Sequence, residues 1–493
     1  MFSPVYVKRV LGPCYDNWKR LYAVDALAVH QAHLACLVER GIVDRSTGAS
    51  IARAMEEMEA GFIWPASIPA GVEDLYFVFE RELGNRIGEE SAAYLHTARS
   101  RNDMDTTVFR LALKRSLQTL AREALGAIRT AQRRAAGPGS EKLMVLYTHG
   151  QPANVSTLGH YLAAVAADLA EGLEELVASI GAVDRSTMGA CAITGTGFDL
   201  DRVRVGSLLG LDSIVTNTYQ AISTSHWLTR PACALEALLC DLVRVSADLF
   251  HKSSCEVGLL DFPDALVQSS SIMPQKRNPV IIEHLRIQAG MAMGSCATIR
   301  ELFRAAPYQD VNEVADAPVS AFIDSLGTAA SAFALFAETV AGMEPNEVRA
   351  REIALRFGVT TTELADEMVR RAGVGFRTAH RACAAYARSG GSLAELRASF
   401  QSIAGRELPF RMPRSSPSST LPISSRFAAW QVVQLPKAWP RSSPDSLPAL
   451  TARKRPWRPW MRRGCAPKQS CRRPGRRCWT QAGMTRMRMS CHG

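Results

Sequence analysis

The chain has 493 residues, 47 % of them hydrophobic, which allows about two to four domains and a sizeable core. No run of about 18 apolar residues occurs, so no membrane span is expected, and the opening MFSPVYVKRV lacks the charged-then-apolar build of a signal peptide; the expectation is a cytoplasmic protein. The net charge of +11 is uneven: 18 of the 58 basic residues but only Asp445 of the 47 acidic ones fall in 408–493, leaving 40 basic against 46 acidic in a mildly acidic body.

Residues 1–98 read as a small helical domain with short helices such as 50–60. Residues 99–345 carry five unusually long segments of helical period, at 107–136, 156–183, 231–253, 280–303 and 319–343. At about 1.5 Å per residue each spans about 30–45 Å. Their apolar residues cover much of the circumference, as in ALEALL at 234–239, so each needs more than one neighbour. The expectation is an all-α chain with a long central five-helix bundle shared between subunits. No strand alternation persists, and no nucleotide-type βαβ unit is present. Residues 346–406 form a further helical domain, with an amphipathic helix at 362–372 and a turn at Gly390-Gly391. The twelve cysteines show no zinc-ligand spacing; they read as free thiols, most of them buried in helices.

Beyond about Gly405 the character changes. Five of the eight Trp, four of the twelve Cys and twelve of the 25 Pro lie after Leu408. The stretches 453–463 and 471–478 have no period. We read 407–493 as a disordered basic tail and the third domain as truncated. Trp and Cys mixed with Pro and Arg in this way is what out-of-frame reading of a GC-rich gene end produces. The alternative is a genuine nucleic-acid-binding tail, since Arg with interleaved aromatics binds phosphates and stacks on bases.

Three segments carry chemistry. LHTARSRND at 95–103 places Ser100, Arg101 and Asn102 just before a long helix. Arg recognises carboxylates bidentately, and helix N-terminal amides favour anions; a plain helix cap with solvated Arg is the structural alternative. YTHGQP at 147–152 offers Thr148, His149 and Gln151, donors beside a titratable imidazole; a purely structural histidine is the alternative there. SSSIMPQKRNP at 269–279 is a serine-rich loop ending in Lys276-x-Asn278, with Glu283 on the next helix. A polar surface loop does not explain the Met and Pro inside it.

Together these segments resemble the fumarase/aspartase superfamily. SSSIMPQKRNP is similar to its signature GSSxMPxKxNP. HTARSRND is similar to the HTGRSRND of argininosuccinate lyases, and THGQPANVSTLGH aligns with the family's THxQ segment. Glu73-Asp74, Thr194-Gly195-Thr196-Gly197-Phe198 and Phe376-Arg377-Thr378-Ala379-His380 extend the match over about residues 20–400.

The resemblance implies a three-domain fumarase/aspartase-type fold, a homotetramer around a twenty-helix core, and sites built from three subunits. It implies anti-elimination across a succinyl group, through an aci-carboxylate dianion, to fumarate and an amine, with no metal or organic cofactor. By position, Ser270 is the base. Lys276 and Asn278 hold the carboxylate that accepts charge. Ser100, Arg101, Asn102, Thr148 and Gln151 bind substrate, and His149 pairs with Glu283 to deliver a proton to the leaving nitrogen.

The chain departs from the family pattern in places. Ser269 replaces the signature Gly, Val280 a usual Asp, and the WGGRF opening is missing. Pro307, Asn312 and Ala315 stand on the Tyr, Gln and Lys positions of the amine side, with Tyr308 one residue away. His30 takes a substrate-side Ser position. Elimination to fumarate is therefore the expectation, with arginine as the leading amine product. One alternative is a lyase acting on another N-succinyl amine or aminocarboxylate. Another, of a different class, is a catalytically silent, crystallin-like structural protein. The partners expected are a small-molecule substrate and further copies of the chain, not membrane or nucleic acid.

Overall fold

A computed structural model describes residues 2–409. The first helix, α1 (Pro4–Glu39), contains two π-helical turns, at Val7–Leu11 and Trp18–Tyr22. Pro13 lacks an amide hydrogen and its ring crowds the preceding turn; the Val7–Leu11 turn widens just before it, with Gly12 N–H bonded to the Val7 carbonyl. α2 (Arg45–Gly61) and α3 (Leu75–Ile87) pack on α1 through Leu34, Ile51, Met55, Met58, Phe79 and Leu83.

Five long helices follow: α4 (Arg101–Ala136), α5 (Leu158–Val183), α6 (His226–Lys252), α7 (Val280–Ala305) and α8 (Asp316–Gly342). Each packs on the next and α8 closes back on α4, so the five form a ring of neighbours. Cross-links fix their directions. Arg110, near the start of α4, donates to the carbonyls of Ala182 and Val183 at the end of α5. Tyr161 of α5 bonds Asp248 near the end of α6. Arg300 late in α7 pairs with Glu236 of α6. Arg134 late in α4 donates to Met343 O, just past α8. Neighbours therefore alternate in direction, except α8 and α4, which run parallel.

Two helices begin earlier than their periodicity suggests, for different reasons. α4 starts at Arg101 because Ser100 and Asp103 form a capping box. α6 starts at His226 and carries Pro231 inside it; the sequence points to Pro231 itself because Pro suits a first turn. Arg110 is 1 % exposed, caps the α5 carbonyl end and lies 5.1 Å from the Trp227 ring. Burial, aided by Arg185, brings its guanidinium down to about 9.

Short strands depart from the strand-free expectation. β1 (Leu143–Thr148) and β2 (Gln151–Thr157) form an antiparallel hairpin between α4 and α5, with a bulge between Leu146 and Tyr147. β3 (Gln268–Ser269) pairs with β4 (Arg277–Asn278) between α6 and α7. After α8 come α9 (Glu347–Arg356) and three helices, α10 (Thr361–Ala372), α11 (Phe376–Arg388) and α12 (Leu393–Ala404). Leu364, Met368, Ala379, Cys383, Leu396 and Phe400 form their separate core.

Two stretches, Pro4–Glu39 and Asn312–Gly342, are long and apolar enough to cross a bilayer by length and composition, against the reading from apolar runs. About half of each is buried inside the chain, and α8 lies between α4 and α7. The eight described cysteines are unpaired. Cys36, Cys296 and Cys383 are buried, but Cys233, Cys240 and Cys255 are exposed, so burial is not their rule. The tail readings, disorder and nucleic-acid binding alike, fall on residues 410–493, outside the described residues.

The β1–β2 hairpin is seated by one close approach. Gly159 N–H donates to Ser140 O at 2.7 Å, and a Cβ at Gly159 would lie 2.6 Å from Ala135 O. Gly159→Ala is expected to destabilise the fold by about 1–3 kcal/mol; urea unfolding with an unchanged midpoint would contradict this.

Candidate active site

The first candidate segment sits where α4 begins. Ser100 Oγ caps Asn102 N–H, and Ser100 N–H donates to Asp103 at 2.9 Å. Asp103 also accepts from the amides of Gly189 and Cys191, at 2.7 and 2.9 Å, and so ties the helix start to the 189–191 loop. Arg101 is held by two carboxylates: Nε and Nη2 donate to Asp105 at 3.1 and 2.9 Å, and Nη1 meets Asp74 at 2.5 Å. Two of its five N–H groups remain. Burial raises Asp105 to about 6, with Arg101 opposing. Asn102 Nδ2 donates to Ala192 O at 3.1 Å and to Asp310 at 2.9 Å, which brings the 306–315 segment to the same place. Asp74 lay within a family match; Asp105 was legible as a partner four residues from Arg101 on one helix. Asp310 carried no sequence signal.

The second segment is the tip of the β1–β2 hairpin. Thr148 pairs with Gln151, so His149 and Gly150 form a two-residue turn, with φ of +52° and +73°. Such turns need positive φ at both positions; Gly150 supplies it freely and His149 accepts it. Thr148, His149 and Gln151 are all exposed.

The third is the loop between β3 and β4. Gln268 pairs with Asn278 and Ser269 with Arg277. Ser269 is not in the left-handed region, so the loop takes serine there without strain. Ser270 Oγ accepts from the amides of Ile272 and Met273, at 3.3 and 3.0 Å. Its own N–H donates to Lys276 O at 3.4 Å, and Lys276 N–H to Met273 O at 3.0 Å. Arg277 anchors the loop base through Asp264 at 2.6 Å and Phe262 O at 2.8 Å. Two amides aimed at one hydroxyl oxygen stabilise its anion. Lys276 is exposed, while Ser270 and Asn278 are half-buried. Glu283 lies in the first turn of α7.

The chain does not unite these segments. His149 and Ser270 stand at one end of the bundle. Arg101 and Asn102 stand at the other, separated by the 36 residues of α4, about 54 Å of helix. Among the described residues no hydrogen bond joins His149 to Glu283, so that expected pair is not formed within one chain.

The amine-side positions are partly committed elsewhere. Tyr308 is 61 % exposed, and its carbonyl accepts from Tyr219 OH at 2.8 Å. His30, expected on the substrate side, is 3 % exposed and lines a cavity with Trp18, Tyr76 and Met104. It stacks on Phe79 at 4.4 Å and accepts at Nδ1 from Arg99 at 2.9 Å. Burial, then the Arg99 charge, lowers its basicity.

Known proteins resemble this chain over most of its length. A family profile described as a lyase matches residues 17–294. Argininosuccinate lyase 2 of Agrobacterium fabrum is 39 % identical over 391 residues, covering 78 % of this chain and 77 % of that protein. The chain belongs to the argininosuccinate lyase family. As a member it is a carbon–nitrogen lyase of the β-eliminating, fumarate-forming class. The argininosuccinate lyase of Methanothermobacter thermautotrophicus is 34 % identical, over 71 % of this chain and 75 % of its own. Among solved structures, EDDS lyase in complex with formate matches with a TM-score of 0.71 and 27 % identity, over 87 % of this chain and 85 % of that one. A class II fumarase from Schistosoma mansoni, with a TM-score of 0.63 and 16 % identity over 78 % of this chain and 87 % of that one, shares the all-α superfamily fold.

One departure from the family motif has a structural cost. Ala98 stands where argininosuccinate lyases carry Gly, and its φ is +59°. The left-handed region costs a non-Gly residue about 1–2 kcal/mol, against about 0.5–1 kcal/mol of extra unfolded-state freedom for Gly. Ala98→Gly is therefore expected to stabilise the protein by about 0.5–1 kcal/mol; a lowered urea midpoint would contradict the assignment.

Proposed function

We propose that this protein cleaves argininosuccinate to fumarate and arginine, with Ser270 as the base. The observation that carries this is the pair of amides, Ile272 and Met273, directed at Ser270 Oγ. A serine is a poor base in water. Fixed donors around its oxygen favour the alkoxide, and the positive charge of Lys276 in the same loop adds to them once the loop closes and excludes water.

The steps balance as follows. Ser270 takes the proton on the carbon β to the departing nitrogen. The electron pair enters the adjacent carboxylate, which becomes an aci-carboxylate dianion held by Lys276 and Asn278. The pair then returns to form the fumarate double bond as the C–N bond breaks. His149, paired with Glu283 of another copy, protonates the leaving nitrogen. Ser100, Arg101, Asn102, Thr148 and Gln151 hold the substrate's carboxylates and polar groups.

The same reading makes the protein a cytoplasmic homotetramer of arginine biosynthesis. The relatives support the pathway. The bundle surface supports the assembly: Ile287 and Met291 on α7 are 54 % and 64 % exposed, with the exposed Gly290 between them. Apolar side chains at helical spacing on a bundle face suit burial by another copy. The same reading sets domain boundaries at 98/99 and 345/346, the second supported by the separate core of α10, α11 and α12.

A second reading, another N-succinyl amine as substrate, is favoured by Pro307, Asn312 and Ala315 on the amine side and by the likeness to EDDS lyase. Fumarate release, followed by ultraviolet absorbance, separates the two. Argininosuccinate is expected to turn over, and Ser270→Ala to lower kcat by about 100- to 10,000-fold. Turnover of another N-succinyl amine but not argininosuccinate would move the specificity. No turnover of any would overturn the proposal.

A further inference from the structure

A buried lysine stands against Tyr147, two residues before His149. Lys252, at the end of α6, is 2 % exposed. Its ammonium donates to both oxygens of Asp248, at 2.7 and 2.8 Å, and Tyr161 of α5 donates to the same carboxylate at 2.8 Å. The ammonium also lies 5.2 Å from the Tyr161 ring centroid and 5.5 Å from that of Tyr147, within cation–π range. Tyr147 packs edge-on against His251, with centroids 5.1 Å apart. The last turn of α6 thus grips one residue of β1 through two side chains.

That residue is critically placed. The register slips between Leu146 and Tyr147, and a bulge re-aims the side chains that follow it. Two residues on is His149, in the left-handed region. Among the described residues no hydrogen bond holds the His149 ring, so its direction follows from the hairpin tip. Asp248 is 37 % exposed, so only the lysine is desolvated; a buried charge is seldom the most stabilising filling for a core, and one well-attested use is to fix a single arrangement.

We propose that Lys252, held in place by Asp248, is a positioning residue for His149, setting through Tyr147 the direction in which the hairpin presents the imidazole. The inference rests on the reading of His149 as proton donor to the leaving nitrogen. An apolar side chain at 252 leaves the strands paired but frees the tip, and misplacement of a reacting group by about 1 Å costs up to about 100-fold in rate.

The test uses Lys252→Met and Lys252→Arg in the full chain. Fumarate release is measured across pH, and the His149 imidazole is titrated by NMR, its signal assigned with His149→Asn. Lys252→Met is expected to lower kcat at least about tenfold with KM within about twofold. It should also move the imidazole titration and the matching limb of the kcat profile, and Lys252→Arg should recover most of the loss. An unmoved imidazole titration in Lys252→Met overturns the proposal, whether kcat is unchanged or falls only with the melting temperature. If His149→Asn keeps full turnover, the proton-donor reading fails, and the titration still decides whether Lys252 positions the ring.

Discussion

The length of α4 governs the rest of the protein. A helix of 36 residues is a rod of about 54 Å, and Arg101 and Asn102 stand at one end while His149 and the Ser270 loop occupy the other. No hinge brings these ends together, because Arg110, Lys114 and Arg134 bond the rod to α5, to the segment after it and to the stretch following α8. Chemistry that needs all three segments must use the opposite ends of different copies. The exposed Ile287 and Met291 of α7 suit the packing of such copies against one another.

Charge is arranged differently at the two ends. At the Arg101 end the guanidinium is largely satisfied by Asp74 and Asp105, which fixes its place before any substrate arrives. Asn102 is likewise tied to Asp310. At the other end Lys276 is exposed and Ser270 gathers two amides. That contrast suits a reaction in which one carboxylate is held in the ground state and another gains charge only in the transition state.

Much of this was legible in the sequence. The long helices followed from apolar period, and the three segments from their residue types and order. What the sequence hid was local conformation. Nothing in HTARSRND says that Ala98 must take a positive φ, and YTHGQP gives no alternation from which to read a hairpin. The surroundings of His30 were hidden too, because a position in an alignment does not reveal what a side chain packs on; here they are Arg99 and Phe79. The capping box at Ser100 was present as Ser-x-x-Asp, but the helical period of α4 became strong only a turn later. The Lys252–Asp248 pair was legible as residues four apart on α6, but Tyr161 of α5 and Tyr147 of β1 join it only through the fold.

Subunit mixing tests directly whether one active site draws on several copies of the chain. Arg101→Gln and Ser270→Ala proteins are each expected to be inactive alone. Unfolded together and reassembled into verified mixed oligomers, they should regain fumarate release, because some sites then combine an intact Arg101 segment from one copy with an intact Ser270 loop from another. Mixed oligomers as inactive as either parent would show that each chain supplies its own site, and would contradict the sharing of sites.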